Sequence, residues 1–245
     1  TAWRHEQQGA ERTVQRRIRT LRSLYRFGQA RAHWPHNPFL TMADPLVADQ
    51  GLPLLTDSEI RRFLQVAQET DRQTYTVASL VLSTGLRLDE IRHARWKDIG
   101  LTPEGILALI ITVPHHAARA VKIRPDVFSV LARWRMVWGW PTDLNEMDDR
   151  PLFPALRHPD RPIRPATLSE GVQTVAARAG LNHKVTLRTL RHAHAGQALL
   201  HGATLPQIQA ALGYTTIQSA LRYDRWTRGL RDTTADHVPF TFGTS

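Results

Sequence analysis

The sequence predicts a mainly α fold with a small antiparallel β-sheet, an α+β architecture. Apolar residues recur at the spacing of amphipathic helices in several segments, each bounded by capping or glycine signals. Two short apolar runs, at residues 107–114 and 119–124, flank the segment HHAA and predict a β-hairpin. The chain of 245 residues is long enough for one large domain or two smaller ones.

The amino-terminal part is predicted to be one basic helix, from residue 10 to about residue 34. Residues 1–43 contain eight arginines and two glutamates, a net charge of +6. Such a helix either presents a solvated charged face or lies along a phosphate backbone, and the sequence leaves both possibilities open. Arg16 and Arg19 are the candidates for a DNA contact.

A linker at residues 44–51 is predicted to separate this part, residues 1–43, from a second domain at residues 52–245. In the second domain the sequence predicts helices at residues 56–69, 74–83 and 88–94, from residue 126, and at residues 167–180, 188–202 and 204–213. Capping boxes at Thr56, Thr167 and Thr204 are expected to open three of these helices. Residues 98–100 are a candidate third strand, and residues 138–166, which are rich in proline and aspartate, are predicted to be a loop.

The composition indicates a polyanionic partner. The net charge is +10 and the pI is near 11.0, which favours binding to nucleic acid. There are no cysteines, so disulfides and thiolate metal sites are excluded, and the histidines show no metal-ligand spacing. We therefore expect no metal.

The sequence also gives expectations about location. No apolar run approaches the ~20 residues of a membrane span, and no signal peptide is visible. We expect a protein of the cytoplasm, associated with the nucleoid if its partner is DNA. The chain begins at Thr1 rather than at methionine, which suggests that an amino-terminal part is missing.

Two stretches carry residues suited to phosphodiester chemistry. Arg87 follows a glycine turn in the stretch TGLRLDEIRHARWKDI, and Arg188 and Arg191 lie three residues apart, on one side of a predicted helix. Tyr223 follows Tyr214 by nine residues. Because a planar guanidinium grips phosphate oxygens in bidentate fashion and a tyrosine oxygen can act as a nucleophile, we predict that the three arginines converge on Tyr223.

These motifs resemble those of the tyrosine recombinases, the phage-type integrases, over residues 52–230. The matching residues are Thr84, Gly85, Arg87, Glu90, Ile91, Trp96, Asp98 and Ile99 in a first group, and Leu190, Arg191, His192, Leu212, Gly213 and Tyr223 in a second. The chain departs from the family pattern at Arg188, where histidine is usual, and at Tyr214, where histidine or tryptophan is usual. It also lacks the usual lysine near the hairpin turn, at a position that aligns near Pro114.

The resemblance implies a site-specific DNA recombinase that needs no metal or nucleotide. Arg87 and Arg191 would bind the scissile phosphate, and Tyr223 would attack it to form a 3′-phosphotyrosyl enzyme and a free 5′-hydroxyl. The resemblance also implies that residues 1–43 are the end of a helical core-binding domain. It further implies that the protein works as a tetramer on two DNA duplexes, with a carboxy-terminal segment that can pass to a neighbour.

Several assignments remain open at this stage. His116 and Lys122 are candidates for the general acid that the missing lysine would supply, and His115 and His192 are candidate DNA contacts. Tyr214 is either a phosphate hydrogen-bond donor, a packing residue or, on chemistry alone, a rival nucleophile. Two other functions share the pattern: a DNA-relaxing enzyme like the type IB topoisomerases, and a DNA-binding relative without turnover.

Overall fold

The computed structural model describes residues 11–44, 54–112 and 118–227. The chain divides into two compact units, Thr1–Gly51 and Leu52–Ser245. In the first unit, helix α1 (Glu11–Ala30) ends four residues before its predicted end. The chain turns back there through Ala32, which has a φ of 55°. The segment after the turn is bound to the helix, because the Arg22 guanidinium donates to the carbonyls of Phe39 and Met42.

The second unit is mainly helical. Its helices are α2 (Asp57–Thr70), α3 (Arg72–Thr84), α4 (Leu88–His93), α5 (Pro125–Met136), α6 (Pro165–Arg178), α7 (Leu187–Leu200), α8 (Leu205–Leu212) and α9 (Gln218–Thr227). The predicted capping boxes at Thr56 and Thr204 are confirmed: each threonine accepts a hydrogen bond from the third residue of its helix.

The third predicted capping box is wrong. Helix α6 begins at Pro165, two residues before Thr167, and Arg164 is its N-cap. Proline is favoured in the first helical turn because its missing N–H would have no partner there. Thr167 to Glu170 therefore lie inside the helix, and the Ser169 hydroxyl donates back to the Pro165 carbonyl.

The predicted hairpin is confirmed as part of a three-stranded antiparallel sheet. Strands β1 (Ile99–Leu101), β2 (Leu107–Ile111) and β3 (Arg119–Lys122) are ordered β1-β2-β3. The prediction of a loop at residues 138–166 is wrong only after residue 153, where β4 (Pro154–Ala155) pairs with β5 (His158–Pro162) in a small antiparallel ribbon and α6 begins at Pro165. These proline-containing strands lack the alternating apolar pattern that would have indicated them.

Two groups of buried side chains hold the second unit together. The larger core lies between the sheet and the helices α2 to α7, and includes Phe63, Trp96, Leu131 and Phe153. A smaller core joins α7, α8 and α9, and Tyr223 belongs to it with no exposed surface. The smaller core therefore decides where the candidate nucleophile lies.

Candidate active site

A cleft of about 620 Å³ lies where the start of α4, the start of α7 and the corner after α8 meet. Its lining includes four arginines from these elements and from α9, namely Arg87, Arg188, Arg191 and Arg222. It also includes Asp89, Ser169, Thr186, His192 and Tyr214. The lining is strongly cationic and would favour an anionic ligand.

Arg87 is aimed into the cleft by the turn between α3 and α4. Gly85 ends α3 in the left-handed conformation, with a φ of 69°. Arg87 is the N-cap of α4, and its backbone N–H donates to Glu90 at 2.7 Å. Its side chain donates to Glu90 at 2.9 Å and to the Gly213 carbonyl at 3.3 Å, and is 31% exposed. The guanidinium is thus held at two points while part of it faces the solvent.

Arg191 lies deeper, under the same corner. Its guanidinium donates to the carbonyls of Gly85 and Leu212, the latter at 2.8 Å. Burial, followed by repulsion from Arg87, lowers the pKa of Arg191, which nevertheless stays charged because a guanidinium titrates far above neutral pH. A buried arginine beside the cleft is a strong donor for an incoming phosphate.

A buried carboxylate, Glu90, lies between the arginines. Arg119 binds both of its oxygens, at 2.7 and 2.9 Å, and Arg191 lies 3.8 Å from one of them. Burial alone would raise the pKa of Glu90, but the hydrogen bonds from Arg119 and from the Arg87 backbone outweigh it and lower that pKa. Glu90 is therefore an anion at neutral pH. The sequence reasoning missed Arg119, because its partner is 29 residues away in the chain.

Arg188 and Arg222 are exposed at the cleft. Arg188 lies in the first turn of α7, and Arg222 precedes Tyr223 in α9. Arg222 is a second residue that the sequence reasoning missed. Its only local signal is its place beside the candidate nucleophile.

Tyr223 does not line the cleft, and its hydroxyl is held by two neighbours. The hydroxyl lies 2.7 Å from Nδ1 of His192 and 3.0 Å from the hydroxyl of Tyr214. Tyr214 does line the cleft, and the guanidinium carbons of Arg87 and Arg191 lie 5.9 and 5.5 Å from the centre of its ring. Arg87 and Arg191 therefore lie close to the ring of Tyr214, whose hydroxyl connects the cleft to Tyr223.

Arg191 and Arg222 favour the phenolate of Tyr223, but burial outweighs them. Burial, followed by the hydrogen bond between the hydroxyls of Tyr223 and Tyr214, raises the pKa of Tyr223 above its usual value, and the opposing effects of Arg191 and Arg222 are smaller. Burial, followed by the positive charge of Arg188, lowers the pKa of His192 to about 4. At neutral pH a neutral histidine thus faces a protonated tyrosine.

The remaining predicted site residues are Lys122, His115, His116, Arg16 and Arg19. Lys122 is exposed, lies opposite Ala108 on the sheet and does not line the cleft. His115 and His116 lie outside the described residues. In the first unit, Arg16 is exposed and Arg19 forms an ion pair with Asp44 at 2.9 Å.

Within residues 11–44, 54–112 and 118–227, no group of three or more His, Asp or Glu side chains is arranged to hold a metal ion. None of the helices in these ranges is long and apolar enough to cross a membrane.

Comparison with known proteins adds a family. The family model described as the phage integrase family matches residues 53–228. The chain is 25% identical over 248 residues to tyrosine recombinase XerD of Pseudomonas aeruginosa, covering 97% of this chain and 79% of the relative. It is also 25% identical over 228 residues to tyrosine recombinase XerC of Oceanobacillus iheyensis, covering 91% of this chain and 73% of the relative.

Solved structures share the fold. The crystal structure of XerA recombinase matches with a TM-score of 0.64 at 21% identity, covering 90% of this chain and 75% of that chain. The DNA-bound structure of lambda integrase residues 75–356 matches with a TM-score of 0.66 at 17% identity, covering 91% and 77%. These likenesses confirm the predicted mainly helical fold with a small antiparallel sheet.

Proposed function

Because the chain belongs to the phage integrase family, we propose that it is a site-specific DNA recombinase that cuts and rejoins strands through Tyr223. One observation carries the proposal. Arg87 and Arg191, which are 104 positions apart in the chain, meet at one cleft beside Tyr214, whose hydroxyl touches that of Tyr223. The relatives named above are recombinases, and none of them favours the topoisomerase or the non-catalytic alternative.

The cleft would bind the scissile phosphate through its arginines. Arg87 and Arg191 each use only part of their five N–H donors within the protein, so further donors are available to the non-bridging oxygens of a phosphate. Negative charge on these oxygens grows in the pentavalent transition state. Donors that are already in position stabilise that charge without reorganising, which lowers the barrier.

Tyr223 would supply the attacking oxygen. The Tyr223 oxygen gives up its hydrogen bonds to His192 and Tyr214 and forms a covalent bond to phosphorus. The bond between phosphorus and the 5′-oxygen breaks in the same step. His192 is neutral at neutral pH and its Nδ1 lies 2.7 Å from the hydroxyl, so it is the nearest acceptor for the tyrosine proton. The leaving 5′-oxygen needs a proton in turn, for which the candidates are His116 and, although it does not line the cleft, Lys122.

The products are a 3′-phosphotyrosyl enzyme and a free 5′-hydroxyl. The covalent link preserves a phosphodiester, so a 5′-hydroxyl from a partner strand can reverse the step and join the DNA without a nucleotide cofactor. Exchange of both strands between two duplexes uses four active sites. We therefore include a tetramer on paired double-stranded DNA sites in the proposal, with residues 1–43 as part of its DNA contact.

The test is to trap the covalent adduct on a nicked suicide substrate and identify the linked peptide by mass spectrometry. We expect the DNA on Tyr223, joined through a 3′-phosphate. Tyr223→Phe and Arg191→Ala should lose the adduct while DNA affinity changes by less than about tenfold, or ~1.4 kcal/mol. Tyr75→Phe, which alters a tyrosine of α3 outside the cleft, serves as the matched control and should form the adduct normally.

Two results would count against the proposal. DNA attached to Tyr214 would confirm the covalent chemistry but would show that Tyr214, and not Tyr223, is the nucleophile. Tight binding of a cognate site with no adduct in the wild-type protein would indicate a DNA-binding relative without turnover.

A further inference from the structure

Arg119, the first residue of β3, is bound inside the protein rather than in the cleft. Its side chain is 13% exposed and does not line the cleft. It donates two parallel hydrogen bonds to Glu90, at 2.7 and 2.9 Å, the geometry in which arginine holds a carboxylate most strongly. The strand is thereby tied to α4, the helix that begins at Arg87.

The carboxy-terminal end of α8 is a common support for three arginines. Each of three consecutive carbonyls there accepts from a different one: Ala211 from Arg119 at 3.2 Å, Leu212 from Arg191 at 2.8 Å, and Gly213 from Arg87 at 3.3 Å. The last carbonyls of a helix have no partner within the helix and attract cations. The positions of Arg87 and Arg191 are therefore coupled to that of Arg119 through this corner.

Arg119 also determines how much of Arg87 is left for a ligand. Glu90 is 2% exposed, so its charge is balanced by neighbouring guanidiniums rather than by water. Arg119 occupies both of its oxygens. Without Arg119, the cationic groups that remain around Glu90 are Arg87 and Arg191, and the carboxylate would draw them inward, away from the phosphate.

We propose that Arg119 is a positioning residue for strand cleavage: by binding both oxygens of Glu90 and the Ala211 carbonyl, it holds Arg87 and Arg191 where they can grip the scissile phosphate. This inference rests on the function proposed above. Arg119 itself touches neither the cleft nor the reacting atoms, so its removal should slow the chemical step and leave DNA binding largely intact.

The first test compares R119Q with the double variant E90Q/R119Q on the suicide substrate at saturating enzyme. We expect R119Q to slow adduct formation at least about 50-fold with less than a threefold change in DNA affinity. Two neutral amides in place of the pair remove the unbalanced carboxylate, so the double variant should recover at least tenfold of that loss. Arg124→Gln, which alters an exposed arginine paired with Asp126 near the same sheet, should cleave like the wild type.

A second test asks whether Arg119 acts through the arginines that bind the phosphate or through the general acid. A substrate with sulfur in place of the bridging 5′-oxygen releases a thiolate, which needs no general acid because a thiol is far more acidic than an alcohol. Since the inference assigns Arg119 to the phosphate clamp, the R119Q defect should persist on the sulfur substrate. Relief of the defect by sulfur would show that Arg119 acts through the acid at the hairpin turn, and would overturn the inference.

Failure of the inference and failure of the proposed function give different results. If the folded wild-type protein forms no adduct, the proposed function itself is contradicted. If the wild-type protein forms the adduct, two results would contradict only the role of Arg119. One is that R119Q cleaves at the wild-type rate, and the other is that the double variant is no faster than R119Q. Thermal melting of each variant separates loss of fold from loss of rate.

Discussion

His192 is buried at the contact between α7 and α9, with one ring nitrogen against the Tyr223 hydroxyl. A buried imidazole surrounded by Arg188, Arg191 and Arg222 is costly to protonate. Burial also makes Tyr223 costly to deprotonate, because it raises the pKa of Tyr223 by more than the neighbouring arginines lower it. In the free protein the His192 imidazole and the Tyr223 hydroxyl are therefore both neutral. Charge must develop on them when Tyr223 loses its proton.

The lowered pKa of His192 predicts a dependence of stability on pH. Since the pKa is about 4 in the folded state and about 6.5 in the unfolded state, the folded protein binds fewer protons between these values. The contribution is fully present above about pH 6.5 and is lost as the pH falls toward 4. The loss amounts to about 3 kcal/mol at most.

His192→Asn tests this dependence, because asparagine places a polar group near the position of Nδ1 but does not titrate. The variant should lose less unfolding free energy than the wild type between pH 7 and pH 4. Chemical denaturation at a series of pH values measures the unfolding free energies of the variant and of the wild type. Parallel curves for the two proteins would contradict the assignment of this pH dependence to His192.

At the scale of elements, the corner after α8 joins the core to the cleft. Gly213 ends the helix in the left-handed conformation, with a φ of 59°. A Cβ atom at Gly213 would lie 2.9 Å from Nη1 of Arg119, so the guanidinium packs where a side chain would be. The left-handed turn therefore favours glycine, and a side chain at this position would have to displace the Arg119 guanidinium.

Gly213→Ala is expected to lower the free energy of unfolding by about 1–2 kcal/mol, the cost of a left-handed conformation for a residue with a Cβ. It should also slow adduct formation, because the new methyl group displaces Arg119 from the corner. Gly180→Ala is the matched control. Its φ is 65° and a Cβ there meets no atom within 4 Å, so it should lose similar stability and keep the wild-type cleavage rate. Equal loss of cleavage in both variants would show that only stability matters.

Capping signals show how far local sequence predicts the elements. Thr56 and Thr204 open their helices as expected because a cap depends on residues within one turn. The segment that begins at Thr167 also has the pattern of threonine followed three residues later by glutamate, but Pro165 starts that helix earlier. The ribbon of β4 and β5 carries no periodic signal, and its strands form because pairing across the turn satisfies their backbone groups.

At the scale of the whole molecule, the excess of positive charge predicts DNA binding that weakens with salt. The net charge is +10, and eight of the arginines lie within residues 1–43. Each neutralised phosphate releases counterions, so the logarithm of the binding constant falls linearly with the logarithm of the salt concentration. The slope then counts the phosphate contacts.

Arg16→Ala should reduce this slope by about 0.9, one phosphate contact, and should weaken binding to cognate and unrelated duplexes alike. Titrations at several salt concentrations measure the slope. Arg133→Ala, which alters an exposed arginine of α5 outside the cleft, is the control and should leave the slope unchanged. An unchanged slope for Arg16→Ala would show that Arg16 does not contact a DNA phosphate.

Local sequence was sufficient for the family, for the α+β fold and for the identity of Arg87, Arg191 and Tyr223 as the candidates, because these follow from short motifs, their order and their spacing. Their catalytic roles stay predictions. The folded chain was needed for the rest: the pairing of Arg119 with Glu90, the burial of Tyr223 and the direction of its pKa shift. These depend on which distant segments pack together and exclude water, and no periodicity within a segment encodes that.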